Sequence, residues 1–178
     1  ERKFEGKDHA RRMQELAMRF GHMVKLSDDE LNDLRLLSVL HDIGKVAIPD
    51  SILSKPSKLT DTEWVEVKKH SEKGYIIAKS IFEMTSIAKY ILYHHERWDG
   101  KGYPNGLKGT EIPKLSRLIS IVDAYDVMTN KSPYKKPLTH SQAIEEIKRC
   151  AGTQFDPELV EIFIESMEQR GELKNAHG

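Results

Sequence analysis

The segment SDDELNDLRLLSVLHDIG, residues 27–44, has the pattern of an amphipathic helix that carries a polar residue on its apolar face. Its leucines recur three residues apart, and His41 follows on the same stripe. The acidic residues at the start are typical of a helix N-terminus, and Gly44 is expected to cap the C-terminus. A histidine on the inner face of a helix needs a hydrogen-bond partner or a ligand.

The same helical periodicity extends over nearly the whole chain, with few alternating patterns and no hairpin signal. It predicts an all-α fold. Thr60 with Glu63, and Thr139 with Gln142, match capping boxes at helix starts. Gly74 is expected to separate the helix that begins after Thr60 from the next apolar run.

Composition bounds the domain organisation and the class of partner. The 178 residues, 38% of them hydrophobic, are enough for one core, so we expect a single domain over residues 1–178. Lys and Arg number 28, equal to Asp and Glu, which argues against binding of long nucleic acids. The single Cys150 and the lack of a signal-like or long apolar run predict a cytoplasmic protein with no membrane span in this segment. Glu1 in place of methionine indicates a fragment of a longer protein.

The segment HHERWDGKGYP, residues 94–104, joins two adjacent histidines and a carboxylate to a glycine-rich loop. The loop is long, from Trp98 to Ile112, and loops of this length inside compact domains tend to be functional. Neighbouring residues on a helix diverge by about 100°, so His94 and His95 need two partners or one nearby cluster. We therefore interpret this segment as one side of a metal site that leads into a substrate-binding loop.

Several predicted helices each bring a histidine or an acidic residue to an otherwise apolar stripe. Burying so many polar groups costs roughly several kcal/mol unless they are paired or ligated. A cluster of divalent ions would satisfy them together. Imidazole and carboxylate ligands without thiolate favour iron, manganese, nickel, cobalt or zinc over calcium or magnesium. The candidate ligands are Glu5, His9, His41, Asp42, His70, His94, His95 and Asp123.

Each of these residues has a simpler explanation when it is taken alone. His41 could cap helix carbonyls, His70 could be a satisfied core histidine, and Asp123 could cap or pair. Glu5 could be a solvated residue in a first helical turn. The coincidence of all of them in one chain favours the metal site.

Two motifs resemble the HD-GYP family, bacterial phosphodiesterases of cyclic di-GMP. They are HDIGK at residues 41–45 and HHExxDGxGYP at residues 94–104, and the likeness extends from His9 to the QFDP segment at residues 154–157. The resemblance implies an HD-superfamily bundle of about seven to eight helices with a long GYP loop. It also implies that the chain is the C-terminal output domain of a longer regulatory protein.

The resemblance assigns a ligand role to each candidate. His9, His41, Asp42 and Asp123 match the four ligands common to the wider HD superfamily. The family adds His70, His94 and His95 to hold a second ion, with Asp42 as the bridge, and Glu5 matches a ligand of a third ion in a trinuclear branch. The implied cofactors are two or three divalent transition metal ions, iron first among them.

The family also implies roles for residues around the metals. Lys45 matches a residue that contacts the scissile phosphate, so Lys45 and Asp42 are the predicted catalytic residues. Tyr103 and Trp98 are candidates to stack on a base or to wall the pocket, and Lys135 is a candidate phosphate contact. The chain departs from the family at Ser132, where arginine is usual, and we expect this departure to bear on substrate affinity and choice.

The implied reaction is hydrolysis of a 3′–5′ phosphodiester in cyclic di-GMP by a metal-bridging hydroxide, giving pGpG and, in some family members, GMP. Two alternatives stay open: a phosphodiesterase of another dinucleotide such as cyclic GMP-AMP or pGpG, and a non-catalytic cyclic dinucleotide sensor. The implied partners are an upstream sensor or receiver domain and diguanylate cyclases, and a homodimer is compatible with the family.

Overall fold

The helices of the protein account for its architecture. The computed structural model describes residues 2–130 and 136–175, with side chains described for residues 7–130 and 136–169. Eight of the described helices are longer than four residues, and no β-strand lies in these ranges, so the all-α prediction and its helix number are confirmed. None of the described helices has the length and apolar character that a membrane crossing requires. The helices are α1 (Arg2–Met23), α2 (Asp28–Leu40), α3 (Asp50–Leu53), α4 (Asp61–Lys68), α5 (His70–Ser80), α6 (Ala88–Tyr93), α7 (Lys114–Thr129), α8 (His140–Arg149) and α9 (Pro157–Asn175).

The core forms where α1 and α7 pack against each other and against α2 and α9. Phe20 of α1 and Phe163 of α9 are fully buried, with ring centroids 5.2 Å apart in an edge-to-face arrangement. Tyr125 of α7 contacts the same Phe163 ring at 5.6 Å. Each such side chain stabilises the fold by about 1.5–3 kcal/mol, and together they fix α1 and α7, which bring His9 and Asp123 to the site.

The helix starts follow the capping signals of the sequence. Thr60 and Thr139 begin α4 and α8 with complete capping boxes, as predicted. Ser27 begins α2 in the same way, with the Glu30 side chain accepting a hydrogen bond from its backbone N–H at 2.9 Å. Local sequence therefore fixes where these three helices start.

Two predictions about glycines are wrong. Helix α2 ends at Leu40, not at Gly44, which lies inside the 3₁₀ turn Ile43–Ala47. Gly74 does not end a helix, because α5 runs through it, and the break comes at Lys69 instead. His70 therefore begins α5 and does not lie on the helix that carries Trp64.

Both glycine predictions fail because the backbone at Gly44 passes very close to the backbone of α5. A Cβ on Gly44 would lie 1.8 Å from the carbonyl oxygen of His70 and 2.5 Å from the backbone nitrogen of Gly74. Both glycines are needed for contact rather than for chain termination. The contact holds the 3₁₀ turn against the start of α5, and so brings Asp42 close to His70.

Candidate metal centre

Four predicted ligands come from three segments of the chain and meet at one point. Asp42, His70, His94 and His95 each offer one ligand atom, and these atoms lie within 4.8 Å of one another. Asp42 Oδ1 is 3.2 Å from His70 Nε2 and 3.6 Å from His94 Nε2. His95 Nε2 is 3.1 Å from His70 Nε2. We call these four residues the first ligand group.

A second ligand group lies beside the first. It consists of His9 from α1, His41 from the end of α2, and Asp123 from α7, whose ligand atoms also lie within 4.8 Å of one another. His41 Nε2 is 3.7 Å from Asp123 Oδ1. The same nitrogen is 3.7 Å from Asp42 Oδ2. One oxygen of the Asp42 carboxylate thus faces each group.

The end of helix α6 explains how two adjacent histidines enter one group. Helix α6 stops at Tyr93, and His94 is its C-cap, so His95 is not placed by helical geometry. The ring centroids of His94 and His95 are 4.0 Å apart. The divergence expected on a continuous helix therefore does not arise here.

Two of the histidines have a ring orientation fixed by a backbone carbonyl group three residues earlier in the chain. His70 Nδ1 lies 2.7 Å from the carbonyl oxygen of Val67, and His94 Nδ1 lies 2.6 Å from that of Ile91. A carbonyl oxygen only accepts hydrogen bonds, so Nδ1 carries the proton in both rings. In the neutral rings Nε2 then presents a lone pair, which is the arrangement of a metal-ligating histidine.

The unpartnered atoms of the site fit a bound cation. Both ring nitrogens of His41 and Nε2 of His94 are buried without a hydrogen-bond partner in the described part of the chain. Leaving such atoms unsatisfied costs about 1–3 kcal/mol each. In the neutral histidines, Nε2 of His70 and His94 would also point a lone pair at the carboxylate of Asp42. Divalent ions would satisfy the Nε2 atoms of His41, His70 and His94 together, so the donor set fits metal.

The protonation states of the ligand residues also suit metal binding. Burial lowers the pKa of His94, and burial together with the neighbouring rings of His94 and His70 lowers the pKa of His95 to about 2. Burial alone would raise the pKa of Asp42, but the positive charge around the carboxylate, including the Lys45 ammonium, holds it well below its usual range. Neutral imidazoles and an ionised carboxylate are the forms that bind metal.

Lys45 lies at the edge of both groups. Its ammonium forms an ion pair with Asp42 Oδ2, three residues earlier in the chain. The Lys45 side chain is 44% exposed, so a charge stands beside the ligand groups and in contact with solvent. Such a charge can reach a phosphate without taking a coordination position.

The glycine-rich loop is held to the site by Glu96, whose role the sequence did not reveal. Its buried carboxylate accepts hydrogen bonds from three consecutive backbone N–H groups, those of Asn105 (2.7 Å), Gly106 (3.1 Å) and Leu107 (3.0 Å). A Cβ on Gly102 would lie 2.6 Å from His95 O, so the loop folds directly onto the ligand segment. The only available signal was that Glu96 follows His95 in the motif.

Two aromatic residues of the loop lie in different surroundings. Tyr103 stacks on the ring of His95 with centroids 5.0 Å apart, and Lys68 Nζ lies 5.4 Å from the centroid of the Tyr103 ring. Burial raises the pKa of Tyr103, so its phenol stays neutral. Trp98 lies at the base of the loop, where Arg117 is 5.9 Å from its ring.

A cavity of about 170 Å³ opens beside the first ligand group. It lies between the motif segment and one face of α7, and it reaches the site because His94, His95 and Asp123 form part of its wall. The other lining residues are Glu96, Arg97, Ser120, Ala124, Val127 and Gln154.

Comparison with known proteins identifies the family. A family model described as HD domain matches residues 1–159. The chain belongs to the HD domain family. Its motif from His94 to Pro104 is that of the HD-GYP branch of this family. HD-domain phosphohydrolases bind divalent metals, in agreement with the two ligand groups.

Several relatives of this HD domain carry functional names. A Vibrio cholerae protein named 3′3′-cGAMP-specific phosphodiesterase 2 is 42% identical over 90% of this chain and 31% of its own length. A Thermotoga maritima protein named cyclic di-GMP phosphodiesterase is 38% identical over 88% of this chain and 43% of its own. The crystal structure of a cyclic GMP-AMP specific phosphodiesterase from V. cholerae superposes with a TM-score of 0.68 at 25% identity, over 90% of this chain and 44% of that one. The chain thus spans less than half of each of these proteins.

Three predicted positions of the HD domain lie outside the described side chains. The backbone of Glu5 belongs to α1, but its side chain is not among those described. Ser132 and Lys135 lie in the segment 131–135, outside the described residues. Their predicted roles stay predictions.

Proposed function

We propose that this HD domain is a metal-dependent phosphodiesterase that hydrolyses cyclic di-GMP to pGpG. The observation that carries the proposal is the position of Asp42, whose two carboxylate oxygens face two separate ligand groups 3.2–3.7 Å away. One carboxylate shared by two histidine-rich groups is the arrangement of a two-metal site. The curated names of the relatives support the same substrate class.

Each of the two ligand groups would hold one metal ion. Asp42, His70, His94 and His95 would hold one ion, and His9, His41 and Asp123 would hold a second with Asp42 between them. Bound divalent ions supply a water of lowered pKa and offset the charge of the phosphate. The imidazole and carboxylate donors favour iron, manganese, nickel, cobalt or zinc, and the resemblance puts iron first. A third ion is expected if Glu5 is a ligand.

Lys45 and Asp42 supply the charges next to the reacting phosphate. The Lys45 ammonium lies beside Asp42 and faces solvent, so it can contact a phosphate oxygen and stabilise the negative charge that develops on it. Asp42 stays ionised over the neutral pH range because of its depressed pKa. These two residues therefore work as fixed charges.

The loop supplies the wall of the substrate site. Tyr103, stacked on His95, covers one side of the first ligand group and shields it from water. Trp98 stands at the base of the loop, beside Arg117, and offers a second aromatic face. We propose that these residues contact the nucleotide and that Lys135 contacts a phosphate.

A second candidate substrate is cyclic GMP-AMP. It is favoured by the names of the V. cholerae relative and of the solved structure, both of which refer to this dinucleotide. Ser132 points the same way, because a serine there cannot make the bidentate contact that arginine makes with guanine or phosphate. The two substrates share their chemistry at the phosphodiester and differ only in one base.

The remaining proposals concern the context of the domain. Because the chain spans 31% and 43% of the two relatives cited, we infer that it is the output part of a longer regulatory protein. The lone Cys150, a buried free thiol, is consistent with a cytoplasmic setting. Diguanylate cyclase partners and a homodimer stay predictions.

One preparation tests the function. The protein is purified without oxygen with iron or manganese supplied, bound metal per chain is counted, and the sample is incubated separately with cyclic di-GMP, cyclic GMP-AMP and pGpG. About two ions per chain and release of pGpG from cyclic di-GMP are expected. Faster turnover of cyclic GMP-AMP would assign the second candidate. Absence of bound metal contradicts the proposal, and metal without turnover of any dinucleotide supports a sensor.

A further inference from the structure

Asp126 is a buried carboxylate of α7 that none of the ligand groups includes. It lies three residues after Asp123, and the residue is 2% exposed. Its Oδ2 is 2.7 Å from His9 Nδ1, and its Oδ1 accepts a hydrogen bond from Arg12 Nε at 2.7 Å. Asn130 Nδ2 donates a further hydrogen bond to Oδ1 at 2.9 Å. Both oxygens are therefore in use, and none is left for a metal or a substrate.

The contact with Asp126 decides which nitrogen His9 can offer. An ionised carboxylate only accepts hydrogen bonds, so His9 Nδ1 carries the proton. The nitrogen with a lone pair is then Nε2, the one that remains for the ligand group. The pairing fixes both the tautomer of the ring and its rotation about the side-chain bonds.

His9 needs this support more than the other histidines do. The side chains of His41, His70 and His94 are 2% exposed and held by their surroundings, whereas the His9 side chain is 32% exposed. His70 and His94 are oriented by carbonyl groups only three residues earlier in the chain. His9 is oriented by a carboxylate from a different helix, more than 100 residues away in the sequence.

Arg12 completes the arrangement. It lies one helical turn after His9 on α1 and binds Asp126 through two nitrogens, Nε at 2.7 Å and a terminal nitrogen at 3.2 Å. The guanidinium balances the carboxylate charge, so Asp126 remains ionised in spite of its burial. Helices α1 and α7 are thus joined at the level of the second ligand group.

We propose that Asp126 is the positioning residue of the second ligand group: it holds His9 ready to bind, and it determines whether the second ion is retained. This inference rests on the proposed function, since it assumes a metal site. The first ligand group has no contact with Asp126, so its ion is expected to be retained when this residue is changed.

The test is a count of bound metal in variants. The parent protein, Asp126→Ala and Asp126→Asn are loaded with Mn²⁺, dialysed and analysed for manganese per chain, and the affinity is then titrated. Asp126→Ala is expected to lose one ion per chain, with affinity at that position falling about 10–100-fold. Asp156→Asn is the matched control, because Asp156 is also buried and paired with an arginine but lies in neither ligand group. The control is expected to keep the parent's count.

A double-mutant comparison separates positioning from a general loss of structure. If Asp126 acts through His9, adding Asp126→Ala to His9→Ala weakens manganese binding no further than His9→Ala alone. Additive losses overturn the inference. So does an Asp126→Asn variant, the one to use if the alanine variant fails to fold, that binds as tightly as the parent. A parent that binds no metal contradicts the proposed function itself, whereas a metal-loaded parent matched by its variants contradicts only the role of Asp126.

Discussion

The carboxylate of Glu96 lies 2.7 Å from the backbone N–H of Asn105, and it accepts the next two N–H groups of the loop as well. The buried carboxylate therefore supplies the hydrogen-bond acceptors that a strand or helix would otherwise supply to these N–H groups. Glu96 follows His95 directly, so the residue that anchors the loop is adjacent to a predicted metal ligand.

Glu96→Ala is expected to release the loop without emptying the metal site. Three backbone hydrogen bonds to a carboxylate are lost, and a hydrogen bond to a charged group is worth about 1.5–3 kcal/mol. The KM for the dinucleotide should rise about tenfold or more, while manganese per chain stays constant, and steady-state kinetics with metal analysis measures both.

The matched control is Glu111→Ala. Glu111 belongs to the same loop and accepts a hydrogen bond from Lys108 N at 2.9 Å, but at an exposed position. It is expected to leave KM unchanged. Equal effects of the two substitutions would contradict the anchoring role of Glu96.

Gly44→Ala is expected to disrupt the contact between the 3₁₀ turn and α5. The added methyl group would lie 1.8 Å from His70 O, a backbone atom that cannot rotate away. Overpacking of this kind costs about 3 kcal/mol or more, and it should lower both thermal stability and metal content. Chemical denaturation and metal analysis give the two quantities.

Gly109→Ala is the comparison for that substitution. Gly109 has a positive φ of 59° and open space around its Cβ direction, so only backbone strain of about 1–2 kcal/mol is expected there. A Gly44→Ala protein no less stable than Gly109→Ala would refute the backbone contact.

Lys45→Ala is expected to lower kcat about 100–1,000-fold, because a fixed positive charge beside the developing phosphate charge is lost. The ligand atoms are untouched, so manganese per chain should stay at the parent value. Lys148→Ala removes a lysine with a similar pairing, to Glu145 at 3.2 Å, on the distant helix α8 and should change neither quantity. An unchanged kcat for Lys45→Ala would remove this residue from the proposed mechanism.

The pH dependence of stability is expected to include Glu66. Hydrogen bonds from Lys69 and Lys73 lower its pKa from 4.5 to about 2. A folded-state pKa below the unfolded value means that these ion pairs stabilise the fold fully above about pH 4.5 and lose their effect as the pH falls towards 2. Glu66→Gln should flatten the free energy of unfolding across this window in urea titrations.

Glu83→Gln serves as its control, because Glu83 is exposed and forms no ion pair among the described residues. Its pH profile should match that of the parent. An unaltered profile for Glu66→Gln as well would show that the two lysine contacts do not stabilise the fold.

The sequence predicts helices well in this protein because local signals coincide. Thr60 and Thr139 carry complete capping boxes, and the apolar stripe of α7 leads directly to Asp123. Seven of the eight candidate ligands lie in the two ligand groups. They could be recognised in the sequence because each is an unusual polar residue on an apolar stripe. The eighth, Glu5, lies outside the described side chains.

What the sequence missed depends on neighbours that are distant in the chain. Gly44 and Gly74 had the signature of helix breaks, but their contact with each other is visible only in three dimensions. Asp126 and Glu96 are buried acids whose partners are His9 and a loop backbone. Spacing along a helix shows which face such a residue occupies and leaves open what lies opposite.

The backbone contact of Gly44 with α5 also has a dynamic consequence. Side chains relieve crowding or fill gaps by changing rotamer on a fast timescale, but two backbones in direct contact have no such freedom. The segments that carry Asp42 and His70 are therefore expected to fluctuate as one rigid body. Hydrogen exchange at this junction would then require cooperative opening of the whole α5 segment, and not the fraying of a single turn.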